Sequence, residues 1–207
     1  MVQAYLRVNG YLTVAEYPVL EAARQGDFRT VTDLDVLAFR FPRAGRLVPH
    51  GKDVLSRDRL DVVLDPAIGG SAEHGDMIVG EVKESRAVVN EAAFDPAVLR
   101  TALVRFGCCP PDHAPALVSE LVREGRAMLP VGHQIRMVAF GTSAQPGGKV
   151  HKITLGHCVE FLRDYLREHW DVLHHAEHKD PVFGLLAMME KASRAGRRGE
   201  GGSRRAR

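Results

Sequence analysis

The chain has 207 residues, of which 45% are hydrophobic and 26% charged, a composition that suits one soluble globular domain with a substantial core. No apolar run approaches the ~20 residues of a membrane helix, and three cysteines, two of them adjacent at Cys108 and Cys109, cannot frame a disulfide scaffold. The opening MVQAYLRVNGYLTV lacks the basic, apolar and small-residue zones of a signal peptide, so a reducing, cytoplasmic setting is expected. The net charge of +2 hides a division: Ser193–Arg207 holds six arginines and one glutamate, a charge of +5, which leaves about −3 on the rest. Basic surface for nucleic acid must then come from local patches and from the C-terminal stretch.

Taken in order, Met1–Val8 reads as a short helix, punctuated by Gly10. Tyr11–Val19 (YLTVAEYPV) is aromatic and β-branched, a strand with Pro18 marking an edge or bend. Leu20–Arg29 extends it and turns at Gly26-Asp27. Thr30–Phe41 (TVTDLDVLAFRF) is the next strand, closed by Pro42, with Val31, Asp33 and Asp35 on one face and Thr32, Leu34 and Val36 on the other. Arg43–Gly75 is the least legible segment, rich in Pro, Gly, Asp and Arg. It is either a substrate-facing loop whose Arg43, Arg46, Lys52, Arg57 and Arg59 meet phosphates, or a mobile insertion. Asp61 and Asp65 lie in or beside its one apolar run, with nothing to prefer them to Asp35 as site residues.

Asp76–Ser85 (DMIVGEVKES) is a buried strand whose Ile78, Gly80 and Val82 face one way and whose Val79, Glu81 and Lys83 face the other. A helix follows, with Asp95 as N-cap, Pro96 at its first position, Gly107 beyond its end and an apolar stripe of Val98, Leu99, Ala102, Leu103 and Phe106. Cys108-Cys109-Pro110-Pro111 breaks the chain, its thiols read as buried and structural. Pro115–Met128 predicts a second helix with Leu117, Leu121 and Met128 inward, Gln134–Phe140 a strand, and Gly141–Gly148 a turn. Lys149 and Lys152, flanking His151, either receive phosphates or form the solvated start of a third helix that presents Leu155, Val159, Leu162, Tyr165 and Leu166. Pro181–Lys191 is the fourth clear helix; Ser193–Arg207 is read as a disordered tail able to add salt-sensitive affinity for nucleic acid. The fold class is therefore α/β, a small mixed sheet flanked by helices over residues 1–192.

Two stretches carry chemistry. If the Asp35 strand lies beside the Glu81 strand, Asp35, Glu81 and Lys83 converge: two carboxylates for a hard cation with an amine next to them. A strand with a solvated polar face is the ordinary alternative for Glu81 and Lys83. Asp35 in TDLDVLA together with Glu81-Val82-Lys83, in this element order, resembles the PD-(D/E)xK nuclease superfamily over about Tyr5–His169. The resemblance implies a restriction-endonuclease-like fold and a Mg²⁺- or Mn²⁺-dependent (endo)deoxyribonuclease, with Asp35 and Glu81 binding metal and Lys83 assisting the attacking water. DNA is the implied partner, and members of the family often cut both strands as homodimers. Many members also carry an acid on the first helix; here only Gln3 precedes Gly10, and Glu16 is the nearest substitute.

Other readings stay open. Asp33-Leu34-Asp35-Val36 matches the DxDx(T/V) signature of haloacid-dehalogenase-like phosphatases, which would make Asp33 a nucleophile on a buried parallel strand, although the residues before it are polar for that setting. A nucleic-acid-binding or assembly protein on a nuclease-like fold, without turnover, is a third. His169, His174, His175 and His178 cluster around Trp170 at spacings that can bind zinc, but with no HExxH and no CxxC they read as a solvated helix junction.

Overall fold

The protein is described from a computed structural model, which describes residues 1–22, 27–44, 64–175 and 177–202. Helix α1 (Val2–Val8) leads into a hairpin of β1 (Leu12–Ala22) and β2 (Phe28–Arg40), then β3 (Asp76–Val82). Helices α2 (Pro96–Arg105) and α3 (Ala114–Glu124) follow, then β4 (Arg126–Met128), β5 (Gln134–Gly141) and β6 (His151–Thr154), and finally α4 (Leu155–Glu168), α5 (Trp170–Leu173) and α6 (Pro181–Gly202).

The six strands form one mixed sheet in the order β1-β2-β3-β5-β4, with β6 also on β5. β1, β2 and β3 are antiparallel neighbours, and β5 runs parallel to both β3 and β6. Far from β3, the start of β5 pairs with β4 and its end with β6. The protein is thus α/β, with helices on both faces of the sheet, and among the described residues no helix is long and apolar enough to cross a membrane.

Alternation along β3 separates two cores. Met77 and Val79 pack under α2 and α3 with Leu37, Met137, Leu99 and Leu121. Ile78, with Val36, Val138 and Phe140, packs under α1, α4 and α6 against Tyr5 and Leu162. Gly80 has no side chain because none fits: a Cβ there would collide with Val36 and press on the Phe140 ring. Asp95 caps α2 through the Ala97 N–H at 2.7 Å, and Gly107 follows in the left-handed conformation.

A buried polar group pins the starts of β3 and β5. The Arg136 guanidinium donates to Asp76 from Nε (2.9 Å) and Nη2 (2.7 Å), and to the Ile68 carbonyl, while the Tyr11 hydroxyl also donates to Asp76. Next to it, Asp65 accepts from the Tyr5 hydroxyl at 2.6 Å and from the Ala67 N–H at 2.9 Å, and lies 2.6 Å from His157 Nε2. The segment after residue 63 is thereby tied to α1 and α4.

Four features differ from the sequence reading. The second helix stops at Glu124, because Gly125 turns left-handed at φ 71 with its N–H on the Leu121 carbonyl; Arg126–Met128 becomes a strand and Met128 is exposed, not inward. His151–Thr154 is a strand pairing with β5, not part of the third helix's solvated start. Leu34 packs with Val19 and Leu37, on the opposite core from Val36; at this level of the hairpin Glu16 takes φ 51, which breaks the regular pleat. Helix α6 continues from Lys191 to Gly202, supported by the Glu190–Arg194 ion pair (2.8 Å) and by Arg194 lying 4.7 Å over the Trp170 ring, so ten residues of the expected tail are helical.

Candidate active site

The antiparallel register of β2 and β3 ends at Val36↔Gly80, one residue short of Asp35 on β2 and of Glu81 on β3. The ladder stops there for a local reason: the Val82 N–H donates to Asp35 Oδ2 at 2.7 Å, so a carboxylate takes the place of a main-chain acceptor. Lys83 lies one residue beyond β3, where its main-chain N–H donates to the Phe140 carbonyl at 2.9 Å and extends the parallel pairing with β5. Its ammonium forms an ion pair with Glu81. The three residues singled out by the sequence therefore come together at the end of β3, Asp35 on the Val82 N–H and Lys83 on Glu81.

Burial is uneven. The Glu81 side chain is 4% exposed and that of Lys83 37%. Burial pushes the Glu81 carboxyl above the ordinary glutamate range, and the Asp35 charge adds to this; the Lys83 hydrogen bond and the Asn90 N–H pull the other way without cancelling it. Lys83 is shifted upward, first by its hydrogen bond to Glu81, with burial opposing. The two directions are compatible: the pair holds Lys83 charged, while Glu81 feels burial and a second carboxylate besides. Fully ionised, the trio sums to −1, an excess of negative charge that a dication would relieve.

Among the described residues no group of three or more His, Cys, Asp or Glu side chains converges as a metal-ligand set. Two neighbouring carboxylates are the donor type that suits Mg²⁺ or Mn²⁺, which keep waters and substrate oxygens in their shell. Asp35 and Glu81 would hold such an ion.

Glu16 sits on β1 between the paired Ala15 and Tyr17, level with Asp35, but it is exposed and its backbone is left-handed. Asp33 is exposed on β2, a strand antiparallel to both neighbours, which is not the parallel setting a phosphatase nucleophile requires. Asp65 belongs to the polar group that ties α1 to α4. Arg43 is exposed; Arg46, Lys52, Arg57, Arg59 and Asp61 lie outside the described residues. Lys152 is tied to the Gln145 (3.1 Å) and Gly147 (2.8 Å) carbonyls, and His151 Nε2 lies 2.6 Å from the Ala67 carbonyl, so both shape loops. The histidines near Trp170 contact nearby main-chain carbonyls, His169 Nδ1 at 3.0 Å from Tyr165 and His178 Nε2 at 3.0 Å from Leu173, at the junction of α4, α5 and α6. The cysteines are free, and burial raises the Cys108 thiol to about 11 and Cys158 to about 12, so neither is a ready thiolate.

One contributor has no signature in the sequence. Asn90 reaches Glu81 through its main-chain N–H, which any residue but proline supplies. The loop that delivers it is braced against β5: the Ser85 carbonyl accepts from the Thr142 N–H, the Ala87 N–H donates to the Ser143 carbonyl at 2.8 Å, and a Cβ on Gly141 would collide with the Ala87 and Arg86 backbone. Comparisons with protein-family models, with curated proteins and with solved structures gave no match.

Proposed function

We propose that the protein is a Mg²⁺- or Mn²⁺-dependent nuclease that hydrolyses DNA phosphodiester bonds at Asp35, Glu81 and Lys83. The observation that carries this reading is the convergence of two carboxylates and an amine at the end of one strand, with the amine held charged against the buried acid. When bound, the metal supplies a polarised phosphate and a bound water of lowered pKa. The chain's own part is positional. Asp35 and Glu81 hold the cation, and Glu81 also orients Lys83. The partly exposed Lys83 ammonium donates to the attacking water or to a phosphate oxygen as charge develops there. Neither of two sizeable cavities, of about 590 and 1080 Å³, is lined by the trio.

The test is incubation with supercoiled and single-stranded DNA in Mg²⁺, Mn²⁺ or EDTA. Nicking that needs metal and falls at least ~100-fold in Lys83→Ala, with DNA binding retained, is the expected result. DNA binding without cleavage under any metal would make the protein a binding or assembly module instead, and hydrolysis of a small aryl phosphate lost in Asp33→Ala would support the phosphatase reading.

A further inference from the structure

The outer surface of α2 and α3 holds a cavity of about 1080 Å³, above the ~300–1,000 Å³ of small-molecule pockets. Its floor is apolar: Val104, Val118 and Val122, with Pro96, Pro111 and Pro115 at the helix starts and in the break between the helices. The hydroxyls that line it are already satisfied within their own helices. Thr101 Oγ1 donates to the Ala97 carbonyl at 2.8 Å and Ser119 Oγ to the Pro115 carbonyl at 2.9 Å. The floor therefore asks no hydrogen bond of an occupant and rewards apolar contact.

The rim is cationic. Arg100, Arg105, Arg123 and Lys149 line the groove, and no Asp or Glu does. Arg123 is paired with Glu124 at 2.9 Å, and Lys149 lies 5.1 Å over the Phe94 ring. Arg100 and Arg105 are exposed and, among the described residues, make no ion pair. An apolar trough edged with unpaired guanidinium groups is complementary to a helix with an apolar face and acidic flanks. Nucleic acid fits less well. The floor has no aromatic ring on which bases could stack, and apolar side chains cannot replace the hydration of a phosphate backbone.

We propose that the α2–α3 groove docks an acidic amphipathic helix of a partner protein. Apolar side chains at i, i+3 or i+4, and i+7 fill the trough over Val104, Val118 and Val122, and flanking Asp or Glu residues meet Arg100 and Arg105. The proposal is independent of the nuclease reading, since the groove shares no residue with Asp35, Glu81 or Lys83.

The experiment screens a display library of helical peptides with randomised surface positions against the full chain, then maps the selected peptides by methyl NMR of the valines and measures affinity by fluorescence anisotropy. The expected result is enrichment of Asp and Glu beside an i, i+3/i+4, i+7 apolar stripe, shifts at Val104, Val118 and Val122, and a loss of at least roughly tenfold in the doubly charge-reversed Arg100→Glu/Arg105→Glu variant. Both arginines are on the surface, and circular dichroism checks that this variant stays folded. Selected peptides that are neutral or basic, that shift other methyls, or that bind the variant equally well overturn the proposal, as does the absence of any binder tighter than about 100 µM. A single-stranded oligonucleotide is run alongside. If it shifts the same valines and loses affinity in the variant, the face is a nucleic-acid surface and the proposal fails.

Discussion

Glu81 stands in conflict with its surroundings. Burial and Asp35 disfavour its charge. The sign of the pH effect follows. A carboxyl raised above its unfolded value binds its proton more tightly in the folded chain, so stability is greatest below the ordinary glutamate range and declines as pH rises through the raised value. Glu81→Gln removes that decline. At pH 8 its Tm should rise above the parent's, while at pH 4 the two should match, and under the nuclease proposal the variant should nick no DNA at any pH. Thermal scans at the two pH values, run beside the nicking assay, check this. The lost Glu81–Lys83 pair offsets little, because Lys83 is more than one-third exposed. Asp35, Glu81 and Lys83 were legible because strand alternation fixes which side chains share a face and because acids in apolar strands are conspicuous. Asn90 was not, because its contribution is a main-chain N–H.

At the scale of elements, the parallel β3–β5 pair is the part that cannot shift. Its start is clamped by Asp76, Arg136 and Tyr11, all buried. Asp76→Ala would leave the Arg136 guanidinium, 5% exposed, without its carboxylate. Denaturant unfolding should show a loss of about 3–5 kcal/mol, the usual cost of stranding one partner of a buried pair. Gly80→Ala should cost about 1–3 kcal/mol by the same measurement, since its Cβ meets Val36 from the neighbouring strand. The long strands and α2 were legible from alternation, from the Asp95-Pro96 start and from Gly107. The short β4 and β6 were not. Three or four residues give no period, and HKIT is half polar; its strand state follows from pairing with β5 across the sheet. A helical count puts Met128 inward, but Gly125 ends the helix before it.

For the molecule as a whole, two cores share one sheet, and Asp65 joins the helices over one of them. Burial alone would raise its carboxyl; hydrogen bonds from Tyr5 and His157 and the Ala67 N–H outweigh that and hold it below the ordinary aspartate range. Its contribution is present above the unfolded aspartate value and is lost as pH falls through the lowered one. Asp65→Asn should therefore unfold more readily at pH 7 and show a shallower loss of stability below pH ~4, measured by acid titration of the far-UV signal. None of this was readable from the chain, because the partners Tyr5, Asp65 and His157 lie 60 and 92 positions apart and nothing local links them. The overall class was readable, since helix and strand periods in this order leave few arrangements besides a mixed sheet layered with helices.

Strand β5 gives no side chain to the trio, yet Lys83 hangs from its Phe140 carbonyl and the loop carrying Asn90 rests on its Gly141. The amine is thus aimed by a neighbour's main chain. Trimming the Phe140 ring would loosen the core beneath while leaving the aim intact, whereas a single methyl at position 141 would lever the loop outward and detune the centre with the sheet still standing.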